Sequence, residues 1–219
     1  MEGITRLSLN EMTPVKMYKI FGLQKAMTLN SLETWLSNLP DVDKEEAIIA
    51  KKYQTLLLGN IDAWNEQELS LNFIGPIFGM IGFSVINKIN WFAQRNIVAQ
   101  INEYELSGKP DGLIASGYYE PEKPFFSFHE FKKEQESKGD PIGQNLAAML
   151  VGQAQNEDNL PIYGCYVVGR NWFFMTLEDK NYAISKAYSA DDEDIFEIVK
   201  ILKALRSILF KRLNITEKI

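Results

Sequence analysis

The chain is poor in the side chains that most often carry redox and metal chemistry: Cys165 is its only cysteine and His129 its only histidine among 219 residues. A lone thiol makes neither an intramolecular disulfide nor a thiolate zinc site, and a lone imidazole all but excludes His-rich metal centres and triad chemistry. Positive charge is also in deficit. With 23 Lys and Arg against 29 Asp and Glu, the net charge is -6, which argues against a surface that clings everywhere to nucleic acid or anionic lipid, while a local basic patch stays open. No apolar run approaches the ~20 residues of a membrane span, and the opening MEGITRLSLN has no apolar core of signal-peptide length. A cytoplasmic protein in a reducing compartment, without membrane contact, is the expectation. Internal repeats and low-complexity tracts are missing too. What remains is 46% hydrophobic and 24% charged residues, the mixture of a folded chain with a sizeable core.

Periodicity divides that chain into elements. NSLETWLSNLP predicts a short helix stopped at Pro40, and DVDKEEAIIAKKYQTLLLGN a longer one, capped by Asp43 and Glu46, ended by Gly59 and buried through Ile48, Leu56 and Leu57. A third helix follows the second capping pair, Asn65 and Glu68, with Phe73, Ile77 and Met80 at helical spacing and Pro76 expected to kink or shorten it. RNIVAQINEYEL alternates as one half-solvated strand. DGLIASGYY and FFSFHEFK, joined by EPEKP, read as a hairpin. GDPIGQNLAAMLVGQAQ is a helix with Asp140 as N-cap and Pro141 at its first position. Three strands then precede a last amphipathic helix, which buries Ile195, Val199, Leu202, Leu205 and Leu209. The class is α/β with a central sheet.

The chemistry concentrates in PFFSFHEFKKE. Alternation places Phe126, Phe128, Glu130 and Lys132 on one face and Phe125, Ser127, His129 and Phe131 on the other, so an apolar strand face turns charged at its end. Desolvation there raises a carboxyl pKa and lowers an ammonium pKa unless each finds a partner. The hairpin's open end brings Asp111, from Lys-Pro-Asp-Gly at the start of the preceding strand, beside Glu130 and Lys132. If the turn pairs Tyr119 with Phe125, strict register sets Asp111 opposite Lys133 on the wrong face, which a one-residue shift or a bulge near Asp111 would correct. Glu136-Ser137-Lys138 and Glu178-Asp179-Lys180 repeat the tripeptide but end no aromatic strand. His129 points away from the acids, Cys165 lies in an apolar strand, and the Trp172-Phe173-Phe174 run reads as core. Lys200, Lys203, Arg206, Lys211 and Arg212 make the last helix basic, either a solvated face or a track for phosphates.

Pro110-Asp111 followed by Glu130-Phe131-Lys132 on the next strand resembles the PD-(D/E)XK nuclease superfamily. The element order from about 65 to 188 is similar to its core of helix, three strands, helix and strand. The resemblance implies an α/β restriction-endonuclease-like core over 61–219, a central mixed β-sheet flanked by helices, with an N-terminal helical extension over 1–60 packed on it. It implies a metal-dependent endonuclease hydrolysing phosphodiester bonds, with DNA as the expected substrate and a homodimer as a common assembly. The implied catalytic set is Asp111, Glu130, Lys132 and Gln144. Mg²⁺, with Mn²⁺ as substitute, would be held by Asp111, Glu130, the Phe131 backbone carbonyl and either Glu66 or Glu68, and Lys133 would contact nucleic acid. Ala148 stands where the RecB-like subset carries a tyrosine, so the likeness is to the wider superfamily. The other readings are a catalytically inactive nuclease fold that binds nucleic acid or a protein, and a purely structural protein.

Overall fold

A computed structural model of the chain describes residues 4–133, 139–156 and 158–216; Glu136 and Lys138 lie outside them. Strand β1 (Thr5–Ser8) leads through a 3₁₀ turn (Leu9–Glu11) to helix α1 (Pro14–Phe21), a two-residue strand β2 (Gln24–Lys25), α2 (Asn30–Leu36) and α3 (Lys44–Asn60). The expected N-terminal helical extension thus also contains two strands. Each joins a sheet, β1 running parallel to β5 (Tyr104–Gly108) and β2 parallel to β10 (Asn181–Ile184).

Both expected capping boxes close. The Asp43 carboxylate accepts the Glu46 N–H at 2.9 Å and Glu46 accepts the Asp43 N–H at 2.9 Å, fixing the start of α3. Of its three expected buried residues only Leu57 faces inward, beside Ala50 and Gln54; Ile48 is 70% exposed and Leu56 40%. Packing against the final helix selected that side. Gln54 donates to the carbonyls of Ala190 and Asp192 just before it, which satisfies a buried amide that the apolar pattern did not announce.

Helix α4 (Glu66–Leu69) continues through a π-helical stretch (Ser70–Ile74) into α5 (Gly75–Ile81). The Gly75 N–H reaches back five residues to the Ser70 carbonyl, and this wider turn carries Pro76, whose ring would collide with a normal i−4 carbonyl. The helix therefore runs through the proline instead of stopping at it.

Strands β3 (Asn90–Ala93), β6 (Gly112–Ser116) and β7 (Glu122–Lys132) form an antiparallel set, α6 (Pro141–Gln155) crosses over, and β8 (Ile162–Val168) pairs parallel to β7. With β9 (Asn171–Glu178), β10, β2 and the short β11 (Tyr188–Ser189) they make an eight-stranded mixed sheet, ordered β2-β10-β9-β8-β7-β6-β3 with β11 beside β9. The single strand expected over RNIVAQINEYEL is instead a hairpin of β4 (Ile97–Ile101) and β5, turned at Asn102, whose φ of 54° suits asparagine. With β1 it forms a second, three-stranded sheet.

Two cores flank the large sheet. One packs α2, α3, α5 and α7 (Asp194–Arg212) against Phe126, Phe131, Val167 and Trp172; the other packs α1, α6 and the small sheet against Leu113, Phe125 and Phe128. Helix α6 lies between the two sheets, so its face toward the small sheet is also covered; a side chain at Gly152 would collide with the Phe128 ring. Among the described residues, no helix is long and apolar enough to cross a membrane.

Candidate active site

The site is assembled where β6 begins and β7 ends. Residue pairing runs Gly112 to His129, Leu113 to Phe128 and Ile114 to Ser127, then Ala115 to Phe125 and Ser116 to Glu122. Phe126 is therefore an extra residue on the β7 side. The bulge lies toward the closed end of the hairpin, not near Asp111, and it puts Phe126 on the face opposite Phe128 instead of beside it. Beyond it alternation holds, and extending the register places Asp111 opposite Glu130, on the same face.

Asp111 extends the ladder with its side chain: its Oδ2 accepts the Phe131 N–H at 2.8 Å. The N–H and C=O of one strand residue point to the same side, so the Phe131 carbonyl also faces the Asp111 edge. Pro110, the residue that would pair with Phe131 in continued register, has no N–H to give that carbonyl. The backbone ladder ends at Gly112 and His129, and the Asp111 carboxylate takes the next N–H in place of a backbone carbonyl.

Lys132 lies between acids. Its Nζ donates to Glu130 Oε1 at 2.7 Å and stands 3.8 Å from Glu66 Oε2, at the N-terminal turn of α4. Glu130 and Lys132 are only 7% and 6% exposed, so their charges interact through little water. Burial and then the charge of Asp111 push the Glu130 carboxyl up to about 7, outweighing the pull of Lys132. Burial likewise lifts Asp111, against the Phe131 N–H and the Lys132 charge, which pull it down. Burial acts to lower the Lys132 ammonium, but Glu130, Glu66 and Asp111 together hold it above the ordinary lysine value. The cluster therefore contains a firmly protonated cation and a carboxyl, Glu130, that needs further positive charge to stay ionised near neutrality.

Of the two glutamates on the first helix turn, only Glu66 reaches this cluster; Glu68 is spent on the helix start, accepting the Asn65 N–H at 2.8 Å. Gln144 is buried near the start of α6, but its Nε2 donates to the Asn10 carbonyl at 3.2 Å, and its Oε1 has no partner. It makes no hydrogen bond to Glu130 or Lys132. Lys133 follows Lys132 as a half-buried residue. His129 is buried on the opposite face, bonded to Ser127 Oγ at 3.1 Å and 4.6 Å from the Phe78 ring centroid. Burial pulls its imidazole down to about 3, which keeps it neutral. Burial also raises the Cys165 thiol, leaving it protonated. The basic residues of α7 turn to protein groups: Lys203 to Glu46, Arg206 to the Gly82 carbonyl and Arg212 to Asp158.

Beside the cluster a cleft of about 400 Å³ opens between α4 and the ends of β3 and β6, lined by Glu66, Gln67, Ser70, Gln94, Asp111 and Phe131. Gln94 has a left-handed backbone, φ 50°, and its N–H donates to the Asp111 carbonyl at 3.2 Å. Sequence reading did not single out Gln67, Ser70 or Gln94, because polar residues at a helix start and a strand end look like ordinary surface. Among the described residues, no three His, Cys, Asp or Glu side chains gather as a ready metal cage. What the residues offer is hard oxygen: two carboxylates, a third at the rim and a backbone carbonyl. No family model matches the chain, and no curated protein matches it.

Proposed function

We propose that this chain is a metal-dependent nuclease of the PD-(D/E)XK type, hydrolysing phosphodiester bonds in DNA at Asp111, Glu130 and Lys132. The observation that carries the reading is the convergence of Asp111, Glu130, Lys132 and Glu66 from two strands and a helix, with Asp111 and Glu66 also lining a cleft. The element order is also compatible with this reading: with the β4–β5 hairpin between β3 and β6 set aside, a helix, three antiparallel strands, a crossover helix and a strand parallel to β7 follow one another.

The donor set fits Mg²⁺ or Mn²⁺, hard ions that accept one or two carboxylates and keep several waters. Asp111, Glu130, the Phe131 carbonyl and Glu66 would hold the ion. When bound, it would lower the pKa of a water and neutralise charge on the scissile phosphate.

The remaining work falls to the chain's own groups. Lys132, held protonated among acids, is unsuited to taking a proton from water; its Nζ instead donates hydrogen bonds, orienting the attacking oxygen and countering charge that grows on the phosphoryl oxygens. Asp111 fixes the Phe131 amide and so aims the carbonyl. Gln144 is tied to the Asn10 carbonyl and takes no part in this arrangement. The test is digestion of supercoiled plasmid in Mg²⁺ and Mn²⁺ beside EDTA controls, with Lys132→Met. Metal-dependent cutting that falls by ~10²-fold or more in the variant supports the site; cutting indifferent to the substitution removes it, and no cutting with either metal favours the catalytically inactive, binding reading.

A further inference from the structure

We infer that the cleft beside Asp111 seats one unpaired nucleotide of the strand being cut, with Gln67 and Gln94 reading its base edge. The inference rests on the nuclease reading above and adds the form of the substrate to it.

The cleft supplies the first argument. Asp111 and Phe131, the groups proposed to face the scissile phosphate, line it, so a nucleotide seated there lies next to that phosphate. A volume of about 400 Å³ lies at the small end of ligand pockets, which run roughly 300–1,000 Å³. It admits a nucleotide and is far too small for a duplex. Gln67, Ser70 and Gln94 line it, and among the described residues none of these side chains has a hydrogen-bond partner in the protein. That contrasts with Gln54, Gln144, Gln153 and Gln155, each of which donates to a backbone carbonyl. A free primary amide presents a donor and an acceptor side by side, the pattern that pairs with a base edge. Gln94 is held on the lip by its left-handed backbone and its bond to Asp111, a conformation that costs energy in a non-glycine residue and is maintained here at the cleft.

The second argument is electrostatic. Duplex binding draws much of its affinity from cations laid along the phosphate backbone. Several cations are instead paired with acids of the protein: Arg6 with Glu105, Lys51 with Glu193, Arg95 with Glu120, Lys203 with Glu46 and Arg212 with Asp158. Arg95, adjacent to Gln94, is among them. With Arg95 and Lys132, the chain neighbours of the lining residues Gln94 and Phe131, both held by acids, the cleft selects by size and accommodates a nucleotide only when it is out of a helix.

The test measures binding and cutting separately. Anisotropy of a fluorescein-labelled ten-nucleotide single strand and of a hairpin duplex of the same sequence is followed in Mg²⁺ with the Lys132→Met protein, with and without Gln67→Ala and Gln94→Ala. The expected result is single-strand binding at least tenfold tighter than duplex binding, lost about tenfold in the double glutamine variant. The log–log salt slope should be shallow, near -1.4, for about two phosphates at roughly -0.7 each. Tighter binding of the duplex, no binding of either, or single-strand affinity within twofold after both substitutions overturns the cleft. Cleavage by the otherwise unchanged protein, with and without the glutamine substitutions, is run in parallel on both substrates. Cutting with no single-strand preference sinks the cleft and keeps the nuclease; glutamine-dependent single-strand binding without any cutting does the reverse.

Discussion

Metal affinity should depend on pH in a range where ordinary carboxylates no longer titrate. Glu130 is buried beside Asp111, and its carboxyl is pushed up to about 7. A metal that binds there competes with the proton, so apparent affinity falls by the factor 1 + 10^(pKa − pH). Between pH 8 and pH 6 that factor grows from about 1.1 to about 11, a loss of roughly tenfold. A glutamate at its ordinary value, 4.5, would change affinity by only a few per cent over the same range. The raised Asp111 carboxyl adds to the effect in the same direction. Mg²⁺ titrations by calorimetry at pH 6, 7 and 8, with Glu130→Gln as the control, read the difference directly. A change below twofold in the unsubstituted protein would refute the argument that burial and Asp111 dominate over Lys132. Stability supplies a second readout. A folded carboxyl that holds its proton more tightly than the unfolded one contributes stability below about 4.5 that is lost as pH rises through about 7, on the order of 3 kcal/mol in all. Saturating Mg²⁺ should remove much of that loss.

Three further outcomes follow from the structure. Gly112→Ala places a Cβ 2.8 Å from Trp91 Nε1 and 3.0 Å from His129 Nδ1, so it should displace the start of β6, cost roughly 1–3 kcal/mol in urea unfolding and weaken Mg²⁺ binding as Asp111 leaves the Phe131 N–H. His129 is buried neutral with its imidazole lowered to about 3; its contribution is complete above about 6.5 and lost as pH falls, roughly 2 kcal/mol by pH 5, a loss that His129→Gln should abolish in denaturant curves compared at pH 8 and 5. On α3, Ile48→Lys should change stability by less than about 0.5 kcal/mol because the side chain is exposed, whereas Leu57→Ala should cost about 2–5 kcal/mol; equal effects would mean that the helix docks by its other side.

Some of this protein was legible in the residues alone because the causes are local. Capping boxes at Asp43 and Asn65 involve atoms three residues apart, and Asp140 before Pro141 starts α6 by the same short-range chemistry. The hairpin that brings Asp111 toward Glu130 and Lys132 is also a local object, closed by a short turn. The buried side of the last helix, Ile195 through Leu209, followed from period alone. Other features depend on partners far away in the chain. Which side of α3 is buried was settled by carbonyls at 190 and 192, and Pro76 was absorbed by a π-helical turn that periodicity does not announce. Strands β1 and β2 have no period to read at four and two residues; each exists because another strand offers it a ladder. The choice between Glu66 and Glu68 needed the approach of α4 to Lys132. Likewise the register that sets Asp111 opposite Glu130 depends on two shifts in the pairing, one skipping Lys123 and Pro124 and one skipping Phe126, whose ring joins the core opposite that of Phe128. Composition and spacing determined which groups the chain owns and roughly which strand ends carry them. Tertiary packing decided which of those groups share low-dielectric space, and burial is what turns a surface carboxylate and lysine into a site.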